Sequence, residues 1–215
     1  MPDRQPPTVL LARGIEKSFG HHRVLTGVDL ELHAAEMVGV IGENGSGKST
    51  LLKILAGELR PNEGLVTYGD GFGYCPQAVV LNPALSVRQH LEFFRAAYGL
   101  ADAARAHDLV QRLGYQRYLD ERVANLSGGT QQKLNLTLAL MNDPAVLLLD
   151  EPYQGFDWET YLRFWDLADN LRSRARAILV ISHLIFDRDR FDRVLELRDG
   201  RLVEAAPTEK EKLPR

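Results

Sequence analysis

The sequence is short of cysteine, of long apolar runs and of surplus charge, and each shortage removes a class of protein. Cys75 is the single cysteine in 215 residues. A lone thiol forms no internal disulfide, which fits a reducing compartment. With no His or Cys clustered beside it, Cys75 reads as a small packed residue near a strand. The longest purely apolar runs, residues 145–149 and 177–181, fall far below the roughly 20 residues that span a bilayer. Residues 1–7 are polar and Pro-rich, without the apolar stretch of a secretory signal. The expectation is that any work at a membrane needs another polypeptide to cross it. The formal net charge is -3, so global charge gives no reason to expect a nucleic-acid partner. Arg172, Arg174 and Arg176 form a local basic cluster, read as a solvated helix end. There is no internal repeat and no long low-complexity tract.

What is present is a core. Hydrophobic residues make up 45% of the chain, enough for one compact domain over residues 1–215. Residues 8–12 and 28–32 read as antiparallel strands. In the second, Val28, Leu30 and Leu32 share one face. Residues 37–41, 145–149 and 177–182 are apolar without alternation, as expected of strands buried on both faces. Helices are expected at residues 48–56, 86–98, 101–113, from about Ser127, and at 158–172. Gly57 and Pro61 end the first of these. Residues 65–68 and 72–74 flank Gly69-Asp70-Gly71 and read as a hairpin, as do 194–197 and 202–204. Buried strands separated by helices indicate an α/β fold with a mainly parallel sheet. The hairpins are expected to form an antiparallel β layer beside it. Residues 79–141 read as an inserted α-helical subdomain, 8–78 and 142–204 as the core, and 205–215 as a flexible tail.

Residues 42–49, Gly-Glu-Asn-Gly-Ser-Gly-Lys-Ser, match G-x-x-x-x-G-K-[ST] between a buried strand and a helix. Such glycines let the backbone curl until successive N–H groups point at phosphate oxygens. The helix that follows adds its N-terminal dipole. Lys48 brings a compact cation to the β- and γ-phosphates, and the Ser49 hydroxyl can ligate Mg²⁺. The nucleotide-binding candidates are therefore Gly42, Glu43, Asn44, Gly45, Ser46, Gly47, Lys48, Ser49 and Thr50. The motif alone marks a P-loop nucleotide binder and separates no family.

Residues 145–152 form a buried strand that ends in Asp150, Glu151 and Pro152. Ligands sit at the carboxyl ends of parallel strands. Asp150 is thus expected beside the P-loop, holding Mg²⁺, and Glu151 is expected to orient and polarise the attacking water.

Leu126-Ser127-Gly128-Gly129-Thr130-Gln131-Gln132-Lys133 places a good N-cap before a helix whose first turn is open to an anion. With the P-loop and the Asp-Glu pair in this order, the chain resembles the ATP-binding cassette family over about residues 8–204. The resemblance implies a P-loop NTPase core and a head-to-tail pair of cassettes, homodimer or heterodimer. Each ATP would lie between the P-loop of one copy and the Ser-Gly-Gly segment of the other. Ser127, Gly128, Gly129 and Thr130 would then contact ATP across the interface. Family members usually carry Gln where this chain has Thr130.

Further positions carry over from the resemblance. Gln77 is similar to the glutamine that reaches Mg²⁺ and the attacking water. Asp157, in Tyr153-Gln154-Gly155-Phe156-Asp157, is similar to the aspartate at the dimer interface, although the residues before it are unusual for that loop. His183, 33 positions after Asp150, is similar to the switch histidine at the γ-phosphate. Phe19 is similar to the aromatic that stacks on adenine, and core packing is its alternative role. Catalysis is thereby expected from Glu151, His183, Gln77 and Lys48, and metal binding from Ser49, Gln77 and Asp150. Gln77 follows Lys48 by only 29 residues, which reads as a trimmed antiparallel region.

The resemblance implies the energising subunit of a transporter, held at the cytoplasmic face of the membrane by an integral permease. Val79, Val80, Leu81, Leu85, Val87, Leu91, Phe93, Phe94 and Tyr98 cover more than one narrow helix face. Some must pack inside, and others could form the permease docking patch. Residues 86–94 resemble cassettes of exporter-like, ABC-2-type systems. A soluble cassette acting on ribosomes or DNA would instead bring two fused cassettes or a long coiled coil.

Overall fold

The computed structural model describes residues 6–78, 80–183 and 187–206. Val79 and residues 207–215, part of the expected docking patch and tail, lie outside them. The chain runs β1 (Thr8–Phe19), β2 (His22–His33), β3 (Met37–Ile41), α1 (Lys48–Leu55), β4 (Glu63–Tyr68), β5 (Phe72–Cys75), α2 (Val87–Ala97), α3 (Ala104–Arg112), α4 (Gly128–Leu140), β6 (Val146–Asp150), α5 (Trp158–Ser173), β7 (Ala177–Ile181), β8 (Arg193–Arg198) and β9 (Arg201–Glu204).

The unalternating apolar runs occupy the middle of a six-stranded sheet, ordered β5-β6-β7-β3-β8-β9. Every residue of β6 and β7 is buried, as are the first four of β3. Each fully buried Val, Leu or Ile contributes about 1.5–3 kcal/mol, so these strands anchor the fold. All neighbours pair in parallel except β8 with β9. Parallel pairing brings the carboxyl ends of β3, β5, β6 and β7 to one edge.

A second sheet, β2-β1-β4, is antiparallel. β1 and β2 are far longer than their expected strands because their hairpin continues to the turn after Phe19. Two sheet assignments differ from the sequence expectation. The segments around Gly69-Asp70-Gly71 form no hairpin: β4 pairs with β1, whereas β5 crosses to the other sheet and pairs with β6. Where β5 lies in the main sheet, Gly73 permits close packing on α4: a Cβ would stand 2.0 Å from the Ala139 carbonyl. The closing hairpin β8–β9 does form, but it extends the main sheet as an antiparallel edge and lies outside the antiparallel layer.

Local signals set the helix ends. Ser86 caps α2 through a reciprocal pair: its hydroxyl accepts from Gln89 N, and Gln89 Oε1 accepts from Ser86 N. Such a cap stabilises by about 1 kcal/mol. The basic cluster at the end of α5 is more than a solvated helix end. Arg172 Nη2 donates to both Asp192 oxygens at 2.7 and 2.8 Å. Arg105, Arg174 and Arg176 converge on Asp143 at 2.5, 3.3 and 2.7 Å. No described helix is long and apolar enough to cross a membrane.

Candidate functional site

At the edge where β3, β5, β6 and β7 end lies a cavity of about 260 Å³. Its lining includes Asn44, Gly45, Gly47, Lys48, Ser49, Thr50, Gln77, Asp150 and Glu151. Three distant stretches of sequence, each singled out by its own motif, thus meet. Gly47 caps α1 in the left-handed region at φ +104, with no side chain over the first-turn N–H groups. Those groups and the helix dipole face the cavity as an anion cradle. Gly42 is also irreplaceable in place: a Cβ there would stand 2.7 Å from Leu197 O and 2.8 Å from Ser46 Oγ. The Ser46 hydroxyl is buried without a hydrogen-bond partner.

Lys48 Nζ donates to Gly42 O at 2.7 Å and Glu43 O at 2.9 Å, which ties the ammonium to its own loop. Burial holds its pKa below the usual lysine range, against the opposing pull of Glu151 and Asp150. Burial likewise pushes Asp150 up, while a hydrogen bond from Ser49 lowers it and Glu151 raises it further. A carboxylate that is costly to ionise alone is suited to a cation beside it.

Glu151 is held on all sides. Its φ is +48, in the left-handed region that a non-glycine residue enters at a cost of about 1–3 kcal/mol. Its N–H donates to Ile181 O at 2.9 Å. Oε2 accepts from Ser182 Oγ at 2.9 Å, and Oε1 accepts from His183 N at 2.7 Å and lies 2.9 Å from His183 Nδ1. His183 therefore reaches the site through Glu151 and does not itself line the cavity.

Sequence reasoning missed three participants. Val24 lines the cavity from β2 and would meet a Cβ on Gly47 at 2.8 Å. Ser182 fastens the glutamate. Tyr153, in the unusual stretch before Asp157, hydrogen-bonds Ser182 and packs against Tyr161, Phe164 and Trp165. No local pattern announces contacts made across strands. Phe19 stands at the end of β1, 52% exposed and outside the cavity lining, with Lys17 Nζ 5.4 Å from its ring centroid.

Ser127, Gly129 and Thr130 lie elsewhere, on a second cavity of about 510 Å³ lined also by Lys133, Asp157 and Arg163. The two cavities share no residue. Ser127 Oγ accepts from Thr130 N at 3.3 Å and caps α4. Gly129 must be glycine, because a Cβ would stand 2.4 Å from Gly155 O. Gly128 is exposed, and a Cβ there would touch nothing within 4 Å. Asp157 Oδ1 accepts from Thr160 N at 2.8 Å and caps α5.

A family model described as ABC transporter matches residues 25–154. The Nod factor export ATP-binding protein I of Burkholderia lata is 34% identical over 213 residues, covering 91% of this chain and 70% of that protein. The pyoverdine export ATP-binding/permease protein PvdT of Pseudomonas aeruginosa is 33% identical, covering 93% of this chain but 34% of its own length. Among solved structures, an ATP-binding subunit of an ABC transporter superposes with a TM-score of 0.84 at 27% identity, covering 91% and 88% of the two chains. A dimeric bacterial ABC transporter cassette gives 0.82 at 25% identity, covering 90% and 96%.

Proposed function

The chain belongs to the ABC transporter family, and from that premise we propose that it binds and hydrolyses ATP as one half of a cassette pair that energises export through a membrane-spanning permease. The separation of the two cavities carries the reading. One holds the phosphate cradle, cation and carboxylates. The other holds the open start of α4, and among the described residues none lines both. A second copy supplies it. Exposed Gly128 fits this role, since no contact among the described residues forbids a side chain there.

The phosphates of ATP take the backbone N–H groups of residues 42–49 and the first turn of α1. Lys48 turns from its loop carbonyls to the phosphate oxygens, a charge-assisted exchange. Phe19 and Val24 bound the base and ribose side. Glu151 accepts a hydrogen bond from the attacking water, and Ser182 and His183 hold its carboxylate in place while it does so. His183, exposed and bonded to Glu151, is assigned the γ-phosphate contact on the strength of the family resemblance. Catalysis of this kind rests on positioning and charge neutralisation more than on covalent chemistry.

A divalent cation fits the residues present. Ser49, Asp150 and Gln77 offer hard oxygen donors at one wall of the cavity. No group of three or more His, Cys, Asp or Glu among the described residues forms a metal cage. That is the pattern of Mg²⁺, which borrows phosphate and water ligands. When bound it neutralises charge between the phosphates. We place the chain at the cytoplasmic face of the membrane, where ATP is present.

Permease docking falls to the helical region between β5 and β6, where Phe93 is 63% exposed and Val80 84%. Val87 and Leu91 are instead core residues. The ATP-binding/permease relatives, which carry both parts in one chain, support this partner. Purification of the tagged chain from native membranes in detergent tests the reading. An integral membrane protein is expected to co-purify, and a purely ribosomal or DNA-bound pool would contradict it.

A further inference from the structure

We propose that the exposed Trp158–Tyr161 stack at the start of α5 is a contact surface for a second copy of this cassette. The proposal rests on the paired-cassette reading above and adds a surface to it. Trp158 is 71% exposed, and Leu162, one turn further along α5, is 40% exposed. Water gains nothing from solvating so large an apolar side chain, and the fold does not need it inside.

The stack is rigid. Trp158 lies over Tyr161 with ring centroids 5.5 Å apart and planes at 18°. Tyr161 is held edge-on by Tyr153 at 5.6 Å and by Trp165 at 5.9 Å. Its hydroxyl donates to Asp187 Oδ2 at 3.0 Å. Trp165 is only 2% exposed, so the ladder is rooted in the core. A surface held in advance loses little side-chain entropy on binding. Tryptophan and tyrosine in such settings carry a large share of interface energy.

Placement selects the partner. Trp158 follows the cap residue Asp157 directly. Asp157, Glu159 and Thr160, in the same first turn, line the cavity of Ser127 and Gly129. A copy that delivers its nucleotide to that cavity must come within about one helical turn, roughly 5 Å, of Trp158. Two copies exchanging half-sites are related by a two-fold axis, so each brings the same patch. Glu159 paired with Arg163 at 2.6 Å gives the patch a polar rim.

The test uses the full chain carrying Glu151→Gln with Mg²⁺-ATP, read by size exclusion and tryptophan fluorescence. Trp158 and Trp165 are the two tryptophans, and buried Trp165 supplies a constant background. Trp158 emission is expected to shift to shorter wavelength and lose acrylamide quenching as the dimer forms. The Trp158→Ser variant is expected to weaken dimerisation at least about thirtyfold with monomer ATP affinity unchanged, and Trp158→Phe to restore most of it. A dimer in which Trp158 stays as quenchable as in the monomer, with Trp158→Ser assembling normally, overturns the proposal and leaves the paired reading standing. Shielding of Trp158 only by a permease overturns it too. If no ATP-dependent dimer forms at all, the paired reading fails and this surface fails with it.

Discussion

The cavity at the phosphate loop gathers its side chains from the ends of strands, whereas the cavity at Ser127 is assembled from helix starts and turns. The first brings a half-buried cation, two buried carboxylates and an exposed glutamine together at the ends of the sheet strands. The second owes its shape to Gly129 against Gly155 and to the caps Ser127 and Asp157. On the proposed reading the first grips a triphosphate and polarises water, and the second closes over an anion brought to it. Neither would then be an active site alone, and every variant below asks which half it damages.

The largest effect is expected from Glu151→Gln, which keeps ATP binding but lowers steady-state hydrolysis by about 10²–10⁴-fold and accumulates dimer. Unchanged phosphate release would remove Glu151 from its role. Next, Lys48→Ala removes a charge-assisted contact worth about 1.5–3 kcal/mol. Titration with a fluorescent ATP analogue should show affinity weaker by tenfold to a hundredfold.

The glycines sharpen the comparison between halves. Gly128→Asp has free space within the chain, so melting temperature and monomer ATP affinity should hold while turnover collapses. Gly129→Ala meets Gly155 O, and should cost about 1–3 kcal/mol of stability, seen as a melting temperature lower by several degrees. Equal destabilisation by both would erase the distinction drawn here.

The smallest expected effect is on stability in Asp150→Asn. A carboxyl whose folded pKa is raised opposes folding when ionised above that pKa, and the penalty fades as pH falls through it. The neutral amide should therefore leave the nucleotide-free melting temperature unchanged or higher near neutral pH, while Mg²⁺-dependent hydrolysis is lost. A clear fall in melting temperature would contradict the assigned cost of burial.

Much of the first half was legible because its signals are local. An unalternating apolar run, a glycine turn and an Asp-Glu pair each occupy a few consecutive residues, and parallel sheet topology brings their ends together. The helix cap at Ser127 was equally local, whereas the caps at Ser86 and Asp157 emerged only from the structure. Sheet membership was not, because a Gly-Asp-Gly turn looks the same whether the chain folds back or crosses to another sheet, as it does between β4 and β5. Contacts between distant segments were also hidden: Ser182 on Glu151, Val24 against Gly47, Gly155 against Gly129, and three arginines on Asp143. The left-handed conformation of Glu151 belongs to this group, since its sequence neighbours carry no glycine or asparagine signal.

The central claim is that each hydrolytic site is made from two chains, and one mixing measurement tests it. Lys48→Ala spoils the cradle and leaves the start of α4 intact; Gly128→Asp does the reverse. Each alone should be inactive. Mixed in equal amounts with Mg²⁺-ATP, random pairing makes about half the dimers mixed, each with one sound composite site. The account predicts that phosphate release returns, up to about a quarter of the unsubstituted rate on this symmetry argument. A mixture as inactive as its separate components, with mixed dimers present, would contradict it.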